Sequence, residues 1–178
     1  MKIYVVRHGQ TDWNVLKLCQ GQINIPLNEK GIEQAKITKE KLENEKIDLI
    51  ITSPLDRAKN TAKIINEDRD LQVIEDERLV ERDLGEYERA KIDSFDHKGF
   101  WDYNCNYKYK KAENIRDFCY RIKEAMEEYK EKYKGKNILL STHGGVTMAM
   151  YIYFNGVPED DLRSHQLENC EFVCYEID

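Results

Sequence analysis

The chain lacks several features that would place it in a specialised class of proteins. It has no apolar run near the ~20 residues of a membrane span, and no basic, apolar, small-residue order typical of a signal peptide. Three prolines and nine glycines leave no repeat or linker in 178 residues, so we expect one domain over 1–178. The net charge of −6 argues against a general nucleic-acid binder. We therefore expect neither a membrane nor a nucleic acid as a partner.

Cysteine is also scarce and irregularly placed. The five cysteines are odd in number, widely scattered and without a C-x-x-C pair, which argues against a disulfide framework or a zinc site. We expect reduced, mostly buried thiols in a cytoplasmic protein, and no bound metal. The five are Cys19, Cys105, Cys119, Cys170 and Cys174.

Short apolar runs alternate with longer helical patterns along the chain. The predicted strands are Ile3–Val6, Ile47–Thr52, Leu71–Ile74, Ile138–Ser141 and Phe172–Ile177. The predicted helices are Asn28–Lys46, Pro54–Asn66, Ala112–Lys134 and Val146–Phe154. Such alternation predicts a three-layer α/β/α sandwich with a mostly parallel central sheet, in which the last strand could run antiparallel at an edge. In sheets of this class, ligands bind beyond the carboxyl ends of the strands.

Three of the predicted strands end in polar segments that suit a phosphate. They are Arg7-His8-Gly9-Gln10-Thr11, Ser53-Pro54-Leu55-Asp56-Arg57 and Thr142-His143-Gly144-Gly145. An arginine next to a histidine lowers the imidazole pKa and keeps the ring neutral and nucleophilic. We expect Ser53 to cap a helix whose first position is Pro54, which places Arg57 near the positive helix end. The convergence of these segments predicts an anion site.

Each segment taken alone has an ordinary interpretation. Arg7 and His8 could lie in a surface turn, Arg57 in a surface ion pair, and the paired glycines in a turn with an incidental histidine. Spacing alone does not distinguish Glu81 from the other acidic residues.

Five motifs in the same order resemble the histidine phosphatase superfamily, the phosphoglycerate mutase-like proteins. The first motif is similar to the family's R-H-G-x-[S/T] signature. The others are Gln20–Gly31, Ser53–Ala62, Glu81–Glu88 and Ser141–Val146. The chain departs from the family pattern in Gly85-Glu86-Tyr87-Glu88-Arg89, and in Ala112-Glu113-Asn114 where many members carry Gly-Glu-Ser.

The resemblance implies a role for each matching residue. His8 would be the nucleophile, Glu81 the general acid, and Arg7, Arg57 and His143 the groups around the phosphate oxygens. The residues implied to contact or surround the substrate are Gly9, Thr11, Asn14, Gln20, Gly21, Thr142 and Gly144. No metal and no cofactor are implied.

The leading interpretation is a phosphatase that hydrolyses small phosphate monoesters through a phosphohistidine, with a small phosphorylated metabolite as its partner. The alternative is a cofactor-dependent phosphoglycerate mutase. Only 62 positions separate Glu81 from His143, whereas the resemblance implies a longer insertion in true mutases. A non-catalytic phosphate-binding protein is a third possibility, although such descendants normally lose the nucleophile or an arginine. A homodimer is possible.

One segment, Lys91–Lys111, matches no family pattern and forms most of a stretch around 88–111. It is rich in aromatic and lysine residues between Lys91 and Lys111. We expect it to form a lid that sets specificity. The alternative is a peripheral helix that packs its aromatic side chains on the core.

Overall fold

A five-stranded sheet forms the middle layer of the computed structural model, which describes residues 1–177. The strand order is β3-β2-β4-β1-β5, with β5 antiparallel to β1 and the other pairs parallel. The strands are β1 (Lys2–Arg7), β2 (Leu49–Thr52), β3 (Val73–Glu75), β4 (Ile138–Thr142) and β5 (Phe172–Glu176). The predicted strands are therefore present within two residues at each end, and the last one lies antiparallel at an edge.

Helices cover both faces of this sheet. They are α1 (Asp12–Val15), α2 (Glu29–Lys41), α3 (Asp56–Asn66), α4 (His97–Phe100), α5 (Ile115–Lys132) and α6 (Gly144–Asn155). On one face, Tyr4 and Ile50 of the strands pack in a buried cluster with Ile65 of α3. On the other face, Val5 belongs to a larger buried cluster with Phe118 of α5 and with residues of α6. Alternate residues of each strand thus point to opposite layers, and the three-layer α/β/α sandwich is confirmed.

The start of α3 differs from the prediction. Leu55, rather than Ser53, occupies the capping position, and the helix begins at Asp56. The Asp56 N–H donates to the Asn24 side chain at 2.9 Å. The prediction was wrong because a distant side chain caps this helix, while the Ser53 hydroxyl is hydrogen-bonded to His143. Helix α2 also ends at Lys41, five residues before the predicted end.

The segment 88–111 is not one helix. It contains a single 3-10 turn (Ile92–Ser94), the four-residue α4 and loops. Phe100 and Trp101 are buried, and Phe95 and Tyr109 are partly buried against the same core cluster. The packing that the alternative predicted is present, although it is built from turns.

Cysteine burial is mixed. Cys19 and Cys170 are buried, whereas Cys105 and Cys174 are exposed, so the expectation of mostly buried thiols was wrong for the latter pair. None of the helices within residues 1–177 is both long enough and apolar enough to cross a bilayer.

Candidate active site

His8 follows directly after β1 and is almost completely buried. Its backbone N–H donates to the Thr142 carbonyl at 2.8 Å, which extends the pairing of β1 and β4 by one residue. The ring Nδ1 lies 2.7 Å from the Gly9 carbonyl oxygen. Because a carbonyl only accepts, Nδ1 must carry the proton, and the Nε2 atom of a neutral ring keeps its lone pair. Within the described chain, Nε2 makes no hydrogen bond.

Arg7 precedes His8 and is aimed at the start of α6. Its Nη1 donates to the Leu167 carbonyl at 2.7 Å and to the Gln166 side chain at 3.4 Å. A Cβ placed on Gly144 would lie 3.3 Å from Arg7 Cζ, so the helix start packs directly on the guanidinium. The buried Nε–H has no partner within residues 1–177. An unpaired buried donor costs about 1–3 kcal/mol, so this atom favours an anionic ligand.

Arg57, in the first turn of α3, is 1% exposed and is held by three hydrogen bonds. Its Nη2 donates to the Gly21 carbonyl at 2.7 Å, its Nη1 to the Ile23 carbonyl at 2.8 Å, and its Nε to His143 Nδ1 at 3.2 Å. Gly21 has φ +49°, in the left-handed region that favours glycine. A guanidinium has five N–H bonds, so two remain for a ligand.

His143 is fully buried at the junction of β4 and α6. The His8 and His143 ring centroids are 5.3 Å apart. Because Nδ1 accepts from Arg57, the proton of a neutral ring lies on Nε2, which is 2.7 Å from Ser53 Oγ. Both ring nitrogens therefore bond to protein groups, and His143 fixes the direction of the Arg57 guanidinium. We call Arg7, His8, Arg57 and His143 the basic cluster.

Burial and positive charge act together on the basic cluster. Desolvation, followed by the charges of Arg57 and Arg7, lowers the pKa of His8 well below its usual range. Desolvation and the Arg57 charge do the same to the pKa of His143. Burial lowers the pKa of Arg57 to about 10, which leaves it charged at neutral pH. The cluster thus holds two cations beside two neutral imidazoles.

Glu81 reaches the other side of the cluster from an irregular loop. One carboxylate oxygen accepts from the Gly145 N–H at 2.9 Å, and the other accepts from the Arg82 N–H at 2.8 Å. A Cβ on Gly145 would overlap Glu81 Oε1 and lie 2.6 Å from the Trp101 ring. Only a glycine allows the carboxylate and the indole to approach the helix start this closely.

Several predicted substrate contacts form a buried polar network instead of an open surface. The Thr11 hydroxyl lies 3.0 Å from Gln20 Oε1 and 3.1 Å from Asn14 Oδ1. The Thr11 side chain also accepts from the Asn14 N–H at the start of α1. In the described chain, the side-chain nitrogens Asn14 Nδ2 and Gln20 Nε2 make no protein hydrogen bond and can donate to a ligand.

The remaining predicted residues pack beside the basic cluster and contact the elements that hold it. The Gly9 N–H donates to Thr61 Oγ1 at 3.1 Å, and a Cβ there would collide with the Gly31 backbone. The Thr142 hydroxyl donates to the Leu79 carbonyl at 3.1 Å, so it faces the loop that carries Glu81. Gly144 packs on Arg7. Their placement beside the cluster is consistent with positioning it.

Sequence reasoning missed the groups that hold these side chains. Gln166 and the Leu167 carbonyl anchor Arg7, and Asn169 Nδ2 donates to the His8 carbonyl at 3.0 Å. Ser53 was assigned a capping role, but its hydroxyl bonds His143 and accepts from the Leu55 N–H at 3.3 Å, which lies before the first helical residue. The positions of Gln166 and Asn169 after the last helical pattern carried no signal, because a single side-chain contact to Arg7 or to a backbone carbonyl requires no motif.

No group of three or more His, Cys, Asp or Glu side chains in residues 1–177 is arranged to hold a metal ion. The polar groups at this site are cationic guanidiniums and two imidazoles. Both ring nitrogens of His143 and Nδ1 of His8 bond protein groups, and His8 Nε2 keeps a free lone pair. This chemistry suits an oxyanion such as phosphate.

Comparisons with known proteins agree with this geometry. The chain is 35% identical over 167 residues to a Bacillus subtilis (strain 168) protein named "Uncharacterized phosphatase PhoE", covering 94% of this chain and 83% of that one. It is 32% identical over 176 residues to "Probable phosphoglycerate mutase GpmB" of Photorhabdus laumondii, covering 96% and 82%.

The fold is similar to that of solved structures as well. Bacillus stearothermophilus YhfR superposes with a TM-score of 0.90 at 31% identity, covering 99% of this chain and 91% of that one. The model of the histidine phosphatase superfamily (branch 1) matches residues 3–178. The chain therefore belongs to the histidine phosphatase superfamily.

Proposed function

We propose that the protein is a phosphatase that hydrolyses small phosphate monoesters in two steps through a phosphohistidine on His8. The observation that carries this proposal is the state of His8: it is buried, its Nδ1 bonds the Gly9 carbonyl, and its Nε2 lone pair is free. Desolvation, together with the charges of two guanidiniums, lowers the pKa of His8, so the ring stays neutral at physiological pH. A neutral, oriented imidazole next to an anion site is an activated nucleophile.

In the first step, the His8 Nε2 lone pair forms a bond to phosphorus while the bond to the leaving oxygen breaks. Phosphoryl transfer is catalysed mainly by positioning and by stabilisation of charge. The free N–H bonds of Arg7 and Arg57 supply that charge to the phosphoryl oxygens. His143 keeps the Arg57 guanidinium directed into the site.

Glu81 handles the protons. It donates a proton to the leaving oxygen in the first step, so that an alcohol departs. In the second step the carboxylate takes a proton from water as the water oxygen attacks phosphorus. The bond between nitrogen and phosphorus then breaks, the electron pair returns to Nε2, and inorganic phosphate is released.

The test is hydrolysis of p-nitrophenyl phosphate in the presence of a chelator. We expect turnover that survives chelation and disappears in His8→Ala. His165→Ala is the matched control, because His165 lies outside the basic cluster and pairs with Asp160 at 2.8 Å. Activity that needs added metal, or that persists in His8→Ala, would contradict the proposal.

Mutase activity is the second candidate, since relatives of similar identity carry that name. The competing proposal is tested by interconversion of phosphoglycerates with and without a bisphosphoglycerate primer. We expect slow, primer-independent hydrolysis. Rapid interconversion that depends on the primer would reverse the preference for a phosphatase.

We also propose that the segment 88–111 acts as a specificity lid within a single domain, and that the protein works in the cytoplasm. The contact of Trp101 with the Glu81 side of the site supports the lid. The exposed free thiols of Cys105 and Cys174 fit a reducing compartment. A homodimer is tested by sedimentation, and a single monomeric species would exclude it.

A further inference from the structure

The loop that carries Glu81 has almost no regular structure of its own. It runs from residue 78, within the 3-10 turn Glu77–Leu79, to residue 83, just before the 3-10 turn Gly85–Tyr87, and we call it the acid loop. A general acid must lie within hydrogen-bond distance of the leaving oxygen, and a displacement of about 1 Å from that position can cost much of its effect. The acid loop therefore needs support from elsewhere in the chain.

That support comes from side chains that donate to the loop's carbonyls. Every carbonyl from Arg78 to Glu81 accepts at least one such hydrogen bond. The Thr142 hydroxyl donates to the Leu79 carbonyl, and the Gln22 side chain donates to the Glu81 carbonyl at 3.1 Å. The other donations come from a single residue, Arg121 of α5.

Arg121 uses all five of its N–H bonds. Nη1 donates to the Arg78 carbonyl at 2.6 Å and the Val80 carbonyl at 3.0 Å, and Nη2 donates to the Glu81 carbonyl at 3.2 Å. The other two N–H bonds form a bidentate pair with Glu113, at 2.7 and 3.0 Å. A lysine has a single ammonium and cannot reproduce this planar fork.

Glu113 completes the support on the other side of Glu81. Its Oε2 accepts from the Asp83 N–H at 3.3 Å, and its own N–H donates to the Asp83 carbonyl at 2.9 Å. The ion pair thus contacts the backbone both before and after Glu81. Neither side chain hydrogen-bonds a member of the basic cluster in the described chain.

We infer that Arg121 and Glu113 are positioning residues that hold the general acid Glu81 against the leaving group. This inference rests on the proposed function, since it assigns a task to the proposed acid. The pair acts through the acid-loop backbone and touches neither phosphate nor leaving group.

The inference makes a prediction that a merely structural role does not. A general acid matters most when the leaving oxygen is a poor leaving group, because p-nitrophenolate departs without prior protonation. The kcat/KM value reports the first phosphoryl transfer, in which the leaving group departs. Misplacing Glu81 should therefore steepen the dependence of kcat/KM on the leaving-group pKa.

The experiment compares p-nitrophenyl phosphate with phenyl and alkyl phosphates in Arg121→Lys, which keeps the positive charge and removes the fork. We expect kcat/KM for the alkyl phosphate to fall about 10- to 100-fold, while that for p-nitrophenyl phosphate stays within about twofold. Glu113→Gln should shift the same ratio in the same direction by a smaller factor. Combining Arg121→Lys with Glu81→Gln should add little to Glu81→Gln alone.

The matched control is Arg69→Lys. Arg69 also donates to backbone carbonyls, those of Leu42 and Glu45, at the turn after α2. It should leave the ratio unchanged. A ratio that stays the same in both Arg121→Lys and Glu113→Gln, or a loss equal for all leaving groups, would overturn the inference.

These measurements distinguish a failure of the proposed phosphatase function from a failure of the positioning role. If p-nitrophenyl phosphate turnover persists in His8→Ala, the proposed function is wrong. If His8 is essential and the leaving-group dependence is unaffected in every folded variant of Arg121 and Glu113, only the positioning role is wrong. Because Glu113→Gln is nearly isosteric, it provides this test even if Arg121→Lys does not fold.

Discussion

The basic cluster and the acid loop lie side by side and are held in place by different means. Arg7, His8 and His143 stand at the ends of paired parallel strands, so the backbone ladder of the sheet fixes them. Glu81 stands in an irregular loop whose carbonyls are bound by side chains of other elements. The sheet thus holds the proposed anion site rigidly, while the proposed acid depends on side chains that are distant in sequence and bond the carbonyls of its loop.

This difference predicts how each region responds to substitution. A change in the basic cluster removes positive charge or the proposed nucleophile, so kcat/KM should fall by a similar factor for all substrates. A change at or behind the acid loop alters a proton transfer, so the loss depends on the leaving group. Substitutions in the two regions should therefore differ in whether the loss of kcat/KM depends on the leaving group.

Arg57→Ala should have the largest effect. It removes a cation that is 1% exposed and three hydrogen bonds that join α3 to the Gly21 turn and His143. We expect kcat/KM to fall about 10³- to 10⁵-fold, the range for an arginine at a transferred phosphoryl group. The loss should be the same for phenyl and p-nitrophenyl phosphate. Lys59→Ala, an exposed change on the same helix, is the control, and a loss below tenfold in Arg57→Ala would count against its role.

Glu81→Gln should come next and should be selective. The amide keeps the shape of the side chain but cannot donate the required proton and then accept one from water. We expect kcat/KM for an alkyl phosphate to fall about 10²- to 10⁴-fold, with a much smaller loss for p-nitrophenyl phosphate. Equal losses on both substrates would show that Glu81 is not the acid.

The free energy of unfolding should depend on pH because two histidines are buried in their neutral form. The unfolded chain takes up protons on histidine below about pH 6.5, whereas burial keeps His8 and His143 neutral in the fold. The free energy of unfolding should therefore fall as the pH is lowered from 6.5 towards 5. His8→Asn should reduce that slope by up to about 1.4 kcal/mol per pH unit. Urea unfolding at several pH values measures it, and identical slopes would contradict the neutral state of His8.

Trp101→Phe in the proposed lid should have the smallest effect. It removes the hydrogen bond from the indole N–H to His97 Nε2 at 3.1 Å, worth about 0.5–1.5 kcal/mol. We expect a modest fall in melting temperature. We also expect the ratios of kcat/KM between substrates to change by less than tenfold. A panel of phosphorylated metabolites measures the ranking. If the order and the ratios are unchanged, the indole does not contribute to specificity.

The same contrast explains what the sequence could predict. Strand ends followed by Arg7-His8-Gly9 and Thr142-His143-Gly144 are local patterns, and the topology brings them together. The helix start at Asp56 was missed because Asn24, far away in sequence, supplies the cap. The role of Arg121 was missed because three of its five hydrogen bonds go to backbone carbonyls, which every residue carries. Glu113 was missed because its side chain bonds Arg121 and the Asp83 N–H, a pairing that no spacing indicates.

The segment 88–111 was the least predictable part of the fold. Its aromatic side chains pack around Arg82, whose guanidinium lies 4.0 Å from the Phe100 ring centroid and 5.0 Å from that of Trp101. Arg82 also donates to the Phe100 carbonyl at 2.5 Å. A buried arginine around which turns pack leaves no periodic pattern in the sequence. The spacing of apolar residues therefore could not predict either a lid or a helix in this segment.

The most direct test of the account is to trap the phosphorylated enzyme. After a rapid quench during turnover of p-nitrophenyl phosphate, trypsin should release the peptide 8–17, in which His8 is the only histidine. The account predicts one added phosphoryl group on His8, at a level that rises with slower dephosphorylation in Glu81→Gln. Turnover with an unmodified His8, or with the phosphoryl group on another residue, would contradict it.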